Sequence, residues 1–167
     1  MSPLRIGDFE NGYLSLIKGL SNTPSAEIQD IKEKFHWMLS HKPLPYYIVV
    51  VEDCKRRIVA TSTLALEYKF IHSSGIRGRV KDLVVHPEFR GQKIGKTLAL
   101  FVKELAAHLG VYKVTLDCSD SLISFFEHCG YKKDFGNNVM CWQRNGENDA
   151  CELEAYKGLF SNLLSPA

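Results

Sequence analysis

The stretch that decides the fold is VVHPEFRGQKIGK, residues 84–96. An apolar run typical of a strand ends at His86-Pro87, and Gly91 and Gly95 then come before a long apolar pattern with helical period. The first four N–H groups of a helix have no partner inside it, and the aligned peptide dipoles make that end partly positive. The pattern therefore predicts a strand, a tight loop and a helix whose first amides form a cradle for a phosphate or pyrophosphate.

Two glycines alone are weak evidence for such a cradle. A plain strand-to-helix turn, with a glycine kept for packing, explains them equally well. The sequence has neither the Walker A pattern G-x-x-x-x-G-K-[ST] nor the dinucleotide pattern G-x-G-x-x-G at this position. The choice between a cradle and a plain turn therefore depends on the rest of the chain.

Composition limits the possible functions. The 167 residues favour one domain, and a net charge of +2 without a dense basic cluster argues against nucleic acid as a partner. The apolar runs are much shorter than the roughly 20 residues that span a membrane, and the N-terminus has no secretion-signal pattern. Five irregularly spaced cysteines favour reduced thiols in the cytoplasm over disulfides or a zinc site, and those in LDC, EHCG and VMCW are core candidates.

The periodicity changes along the chain. Residues 7–20 and 21–42 carry helical stripes, and four β-branched runs follow: YYIVVVED, IVATSTLALEYKF, GRVKDLVV and YKVTLDC. Residues 52–57 form a polar hairpin link between the first two runs. A long helix ends at Gly110, a shorter one runs from Asp120 as N-cap to Gly130, and residues 131–144 are expected to form a closing strand pair.

This order predicts an α/β (α+β) domain over residues 1–145. Residues 146–167 are a C-terminal tail. Its apolar residues would lie on one face of an amphipathic helix, and a frayed surface tail is an equal alternative. These residues are Leu153, Tyr156, Phe160, Leu163 and Leu164.

In its context, Arg90-Gly91-Gln92-Lys93-Ile94-Gly95-Lys96 strongly resembles the acyl-CoA motif R/Q-x-x-G-x-G/A of the GNAT acetyltransferase superfamily. The resemblance implies a mixed, mostly antiparallel sheet with helices on both faces and a bulged strand that opens onto an acyl-CoA cleft. It also implies acetyl-CoA as cosubstrate without a metal. The cofactor-binding residues would be Leu83, Val84, Val85, Arg90, Gly91, Gln92, Lys93, Ile94, Gly95 and Lys96.

Further motifs, KFIH, RGRVKDLVV, YKVTLDC and FFEHCGY, resemble one member group, the eukaryotic glucosamine 6-phosphate N-acetyltransferases. The similarity runs from about Tyr46 to Arg144. It implies an enzyme of UDP-N-acetylglucosamine synthesis that acetylates the 2-amine of glucosamine 6-phosphate, as a cytoplasmic homodimer whose interface completes the active site. The substrate-binding residues would be Ser21, Lys69, His72, Lys81, Asp82, Tyr112, Lys113 and Arg144.

The implied chemistry needs no strong base. A hexosamine amine is partly neutral near pH 7, and it can attack the thioester carbonyl once both reactants are held in place. The resemblance assigns the oxyanion to a backbone N–H at the bulge, for which Leu83 is the candidate, and the orientation of the amine to the carbonyl of Asp117. Without the motifs, Lys69 and Lys113 would be ordinary solvated charges and His72 a surface histidine.

Three positions depart from the group's pattern. Lys81 replaces a glutamate, Phe126 replaces a tyrosine whose hydroxyl would meet the departing thiolate, and Gln143 stands at a phosphate-binding arginine, with Arg144 next to it. Two alternatives therefore stay open. One is a GNAT paralogue that acetylates another amine, with Lys81 indicating an anionic acceptor. The other is a CoA-binding or dimerising protein that has lost turnover.

Overall fold

A computed structural model of the chain describes residues 1–20, 27–136 and 140. The chain divides into two compact units, Met1–Lys133 and Asp134–Ala167, and every element below belongs to the first. The domain boundary expected at residues 145/146 lies within the second unit and stays a prediction, as does the helical face of the tail, whose residues lie outside the described ranges.

One five-stranded sheet organises the first unit. The strands follow the sequence order β1-β2-β3-β4-β5. Neighbours are antiparallel up to β4, and β4 and β5 are parallel, which confirms the mixed, mostly antiparallel sheet. The strand bounds are β1 Ser2–Pro3, β2 Tyr46–Glu52, β3 Ile58–Tyr68, β4 Ile76–Val85 and β5 Val111–Leu116.

The β2–β3 link is a tight polar turn, as the sequence predicts. Asp53 Oδ1 accepts hydrogen bonds from the backbone N–H groups of Lys55 and Arg57, at 2.8 and 2.9 Å. Arg56 between them has a φ of 62°, in the left-handed region. The bond from the Arg57 backbone is the largest cause that lowers the pKa of Asp53. The hairpin tip is therefore fixed by its own carboxylate.

The two helices α1 (Tyr13–Lys18) and α2 (Ile28–Ser40) cover one face of the sheet together with the 3₁₀ turn Ile6–Phe9. The single stripe expected over residues 9–20 is wrong, because Gly12 has a φ of 101° and separates the 3₁₀ turn from α1. The aromatic rings of this core meet edge to face: Phe9 lies 5.6 Å from Tyr13 and 5.4 Å from Phe35.

The long helix α4 (Ile94–His108) covers the opposite face through Leu98, Val102 and Ala106, so helices on both faces are confirmed. Gly110, with a φ of 72°, lies just beyond its C-terminus, as expected. The short helix α5 (Ile123–His128) is followed by Gly130, with a φ of 84°.

Three local expectations are wrong. Asp120 does not cap α5; it opens a 3₁₀ turn capped by Ser119. Cys118 is exposed, whereas Cys129 is buried as expected, and Cys141 lies outside the described residues. Residues 131–136 form no strand, and most of the second strand of the expected closing pair also lies outside those residues.

Between β3 and β4 the chain makes a short turn, α3 (Ile71–Ser74). His72, Ser73 and Ser74 in it have φ values of 53°, 55° and 58°, so the turn is left-handed. Over residues 1–20, 27–136 and 140, no helix is long and apolar enough to cross a bilayer, and no group of three His, Cys, Asp or Glu side chains could hold a metal ion.

Candidate active site

A bulge interrupts β4 at Asp82. Residues on either side of it pair with β3 in registers that differ by one, Thr63 with Lys81 and Thr61 with Val84. Two β4 residues, Asp82 and Leu83, therefore oppose one residue of β3, and Asp82 has a φ of 53°. The bulged strand expected from the family resemblance is thus present.

The strands β4 and β5 separate at the same place. Their parallel pairing ends with Val80 opposite Leu116, which is the last residue of β5, whereas β4 continues to Val85. Among the described residues, the stretch from Lys81 to Val85 therefore has a paired strand only on its β3 side. This unpaired edge of β4, next to the segment that follows β5, is the candidate cleft.

The bulge also decides which way the following side chains face. Leu83 and Val85 pack against the α4 side of the sheet, with Ala60 and Leu98, whereas Val84 packs on the α1 side. Val85 has a second contact, because its carbonyl accepts a 3.2 Å hydrogen bond from Arg90 Nε. The Val85 carbonyl therefore already accepts one hydrogen bond from the loop that follows β4.

The loop from residue 86 to 93 leads into the N-terminus of α4. Gly91 has a φ of 78°, and nothing lies within 4 Å of the position that a Cβ would take there. Within the described chain, the N–H groups of Gly91, Gln92 and Lys93 have no hydrogen-bond acceptor. Together with Ile94, Gly95 and Lys96 of the first helical turn, they form a row of amides that suits an anion.

The two remaining motif positions have different roles. Counted from Arg90, the first glycine of R-x-x-G-x-G/A falls on Lys93, which has a φ of 62° although it carries a side chain. The second falls on Gly95, where a Cβ would lie 3.4 Å from Val85 Cγ2 and 3.5 Å from Phe125 Cζ. The absent side chain of Gly95 therefore allows close packing of α4 on β4 and α5, as in the packing alternative for this residue.

Charged side chains lie around the bulge and at the end of β5. Lys81 is exposed just before the bulge, and Asp117 follows β5 directly. Arg79 Nη2 lies 3.5 Å from Asp117 Oδ2, which ties the end of β5 to β4. On the α1 side, burial raises the pKa of Tyr13 to about 12, and the negative charge of Asp82 adds to this shift.

A second group of the expected residues lies at the other end of β4. The His72 and Tyr112 rings are 4.8 Å apart, near the pairing of Ile76 with Val111, and Lys113 follows on β5. At about 3.3 Å per residue, the path from Ile76 to Asp82 spans roughly 20 Å. One chain therefore does not bring these residues together with the bulge.

Lys69 belongs to the same distant group. Its Nζ lies 2.8 Å from Glu67 Oε2, and this hydrogen bond is the largest cause that lowers the pKa of Glu67. The charge of Lys69 is therefore paired with that of Glu67. Ser21, Gln143 and Arg144 lie outside the described residues.

This geometry agrees with a comparison of the sequence with known families. The sequence model of the Acetyltransferase (GNAT) family matches residues 14–131. The chain belongs to the GNAT acetyltransferase family. GNAT acetyltransferases take their acetyl group from acetyl-CoA.

Individual GNAT relatives extend the likeness. A Drosophila melanogaster protein named probable glucosamine 6-phosphate N-acetyltransferase is 36% identical over 154 residues, which cover 92% of this chain and 69% of that protein. The glucosamine 6-phosphate N-acetyltransferase of Schizosaccharomyces pombe is 45% identical over 53% of this chain and 80% of its own length. The crystal structure of the Arabidopsis thaliana enzyme superimposes with a TM-score of 0.76 at 29% identity, over 87% of this chain and 97% of that one.

Two of the three departures lie in the described part of the chain, Lys81, exposed before the bulge, and Phe126. Phe126 is buried, with its ring 5.0 Å from Phe125 and 5.8 Å from Tyr131. The Tyr131 hydroxyl is buried and has no partner among the described residues, and burial raises its pKa to about 12. Phe125, which sequence reasoning missed, faces the helix start, with its Cζ 3.5 Å from the position that a Cβ would take on Gly95.

Sequence reasoning also missed Tyr13 and Arg57. Tyr13 was assigned only to a helical stripe, and no local pattern connects it with Asp82. Arg57 was assigned only to a polar hairpin link, although its guanidinium lies over the Phe89 ring of the loop that precedes Gly91. Contacts between residues far apart in sequence leave no signal in a single chain.

Proposed function

We propose that this GNAT protein transfers the acetyl group of acetyl-CoA to the 2-amine of glucosamine 6-phosphate. The observation that carries the proposal is the bulge at Asp82 beside an amide-lined loop at the start of α4. The relatives named for this reaction support the choice of acceptor. We further propose a cytoplasmic setting and a product that enters UDP-N-acetylglucosamine synthesis.

The donor would lie along the end of β4. The amides of residues 91–96 suit its pyrophosphate, and the left-handed Gly91 leaves room for close approach. Backbone groups of Leu83 and Val85 would bind the acyl and pantetheine parts. Since the Val85 carbonyl also accepts a bond from Arg90 Nε, the Arg90 side chain would share that carbonyl or move as the donor binds.

The reaction would take place where β4 and β5 separate. The neutral amine of the sugar attacks the thioester carbonyl carbon, and its orientation would come from the backbone carbonyl of Asp117. The Leu83 N–H would stabilise the negative charge that develops on the carbonyl oxygen. The C–S bond then breaks, and the amine proton goes to solvent. Phe126 has no hydroxyl to protonate the CoA thiolate, so water would have to serve in its place.

We propose that two chains complete one site. Lys113 and Tyr112 come four and five residues before Asp117 on β5, roughly 13–17 Å along the strand, and His72 lies against Tyr112; this is too far to hold the phosphate of a sugar whose amine is at Asp117. A homodimer in which this group faces the partner's bulge would remove the discrepancy. The phosphate would then be bound across the interface.

Mixing two inactive variants tests the shared site. Gly91→Glu would disable the donor loop, and His72→Ala the distant group. If the groups act across the interface, an equimolar mixture allowed to exchange chains regains about a quarter of wild-type activity, because half of the dimers are mixed and each has one intact site. No recovery in dimers that are shown to be mixed would contradict the shared site.

The acceptor is tested by release of CoA thiol from acetyl-CoA. Glucosamine 6-phosphate is compared with glucosamine, other amino sugars and a panel of small amines. A clear preference for glucosamine 6-phosphate supports the proposal. Thiol release that is faster with another amine would refute this acceptor, and CoA binding by calorimetry without any release would indicate a binding protein.

Exposed Lys81 favours one second candidate, acetylation of another anionic amine. A lysine donates hydrogen bonds and is positive, whereas the glutamate of the resembled group accepts them. The amine panel therefore includes amino acids and other phosphorylated amines. A preference for one of these would make Lys81 the residue that selects the acceptor.

A further inference from the structure

Arg57 connects the β2–β3 hairpin with the loop that leads to Gly91. Its guanidinium carbon lies 5.3 Å from the centre of the Phe89 ring, and its Nη2 lies 3.8 Å from Glu88 Oε2. Both contacts cross from the hairpin to the β4–α4 loop. Phe89 and Glu88 directly precede Arg90 and the cradle.

Arg57 is itself held in place. Its Nε donates to Asp53 Oδ2 at 3.2 Å, and Asp53 Oδ1 accepts the Arg57 backbone N–H. The bond to Asp53 and the contact with Phe89 together orient the guanidinium, as a side chain that positions another one requires.

The loop is bonded to β3 at its start and has internal contacts of its own. The His86 N–H donates to the Val59 carbonyl at 2.8 Å, and His86 and Phe89 meet edge to face at 6.0 Å. The Phe89 N–H closes the short 3₁₀ turn on the His86 carbonyl at 2.9 Å. Phe89 makes the loop's ring contact with the hairpin, and Arg90, next in sequence, donates from its Nε to the Val85 carbonyl of β4; these two side chains together hold the chain just before Gly91.

We infer that Arg57 is a positioning residue for the donor cradle, acting through Phe89. The inference depends on the proposed binding of the CoA pyrophosphate by residues 91–96. Arg57 touches neither the donor nor the acceptor in this arrangement. Its contribution is a loop that is already in the bound geometry, which lowers the ordering cost of binding.

The test compares Arg57→Ala with the matched control Arg56→Ala. Arg56 carries the same charge on the same hairpin, but none of the contacts found in the described residues joins its side chain to the loop. We expect Arg57→Ala to raise the Kd for CoA, measured by calorimetry, about 3- to 10-fold, in keeping with one cation–π contact and one long ion pair. The control should stay within about 2-fold of wild type, and Arg57→Lys should recover part of the loss.

A second readout separates positioning from general damage to the fold. Acetyl-pantetheine carries the reactive thioester without the pyrophosphate, so its kcat/KM should be equal in Arg57→Ala and wild type. For acetyl-CoA, KM should rise while kcat is unchanged. Equal losses with both thioesters, or an unchanged Kd for CoA, would overturn the inference.

A double-mutant cycle with Phe89→Leu tests the route. If Arg57 acts through Phe89, the losses in CoA affinity are not multiplicative, and the double variant is about as weak as the weaker single one. Fully multiplicative losses would overturn the route through Phe89. Wild-type protein that does not bind CoA would overturn the cradle itself, whereas wild-type binding with an unaffected Arg57→Ala would overturn only the role of Arg57.

Discussion

Val80 and Leu83 face the same side of the sheet although two residues lie between them. Val80 packs with Val102 and Ala106 of α4, and Leu83 packs beside Leu98 of the same helix. In a regular strand, residues three apart point to opposite faces. The extra residue at the Asp82 bulge puts Val80 and Leu83 on the same face. The last part of β4 therefore still packs under α4, although it no longer pairs with β5.

Gly91→Glu should abolish acetyl-CoA binding in calorimetry. The new carboxylate would stand in the open space beside the amide row, where it would repel a pyrophosphate, and the φ of 78° would add left-handed strain. Gly91→Asn is the control, because asparagine tolerates this conformation and brings no charge. We expect it to bind more weakly but measurably. Unchanged affinity in Gly91→Glu would remove the cradle assignment.

Lys93→Gly should stabilise the protein. Lys93 has a φ of 62°, which costs a residue with a side chain about 1–2 kcal/mol, and part of this gain is offset by the larger freedom of glycine when unfolded. We expect a net gain of about 0.5–1 kcal/mol in urea unfolding. Lys96→Gly, in the first turn of α4, is the matched control and should lose about 1 kcal/mol. Equal losses in both variants would show that no strain is stored at Lys93.

Lys81→Glu should raise kcat/KM on glucosamine 6-phosphate if the chain is a drifted member of that enzyme group. A carboxylate there can accept a hydrogen bond from a sugar hydroxyl, and bonds to a charged group contribute about 1.5–3 kcal/mol, or roughly 10-fold or more. Lys81→Gln removes the cation without restoring the carboxylate and should show a smaller gain. A drop in activity for Lys81→Glu would mean that Lys81 has a role of its own and would weaken the assigned acceptor.

Tyr13 should make the protein less stable at alkaline pH. Burial raises the pKa of Tyr13 from 10.0 to about 12, so the unfolded chain loses this proton at a lower pH than the folded chain does. The stability that Tyr13 contributes is fully present below pH 10 and is lost between about pH 10 and 12. The loss is about 2–3 kcal/mol at most. Tyr13→Phe should therefore flatten the fall of unfolding free energy over this range, and equal slopes would contradict the raised pKa.

Much of the fold can be predicted because its signals are local. The link at Asp53, the helix ends at Gly110 and Gly130, and the change from strand to helix around Gly91 each depend on neighbouring residues only. The break at Gly12 was missed because an apolar stripe continues across it. The left-handed Lys93 was missed for a related reason, since no propensity predicts a lysine at that φ.

The candidate site was predicted in composition but not in arrangement. The motif residues around Gly91 do lie together, whereas His72 and Tyr112 lie at the far end of β4 from Asp82, because parallel pairing with β5 fixes which residues are neighbours. The contact of Arg57 with Phe89 and the electrostatic effect of Asp82 on Tyr13 join distant parts of the chain. Only the folded structure can report them.

The bulge divides β4 into two short strands that share one backbone. Before it, Lys81 is exposed beside the acceptor end of the cleft; after it, Leu83 and Val85 are anchored under α4. A substitution in the first half can change what the acceptor meets without disturbing a packing contact in the second. Preference for the amine can therefore change through Lys81 while the packing of the donor end under α4 stays the same.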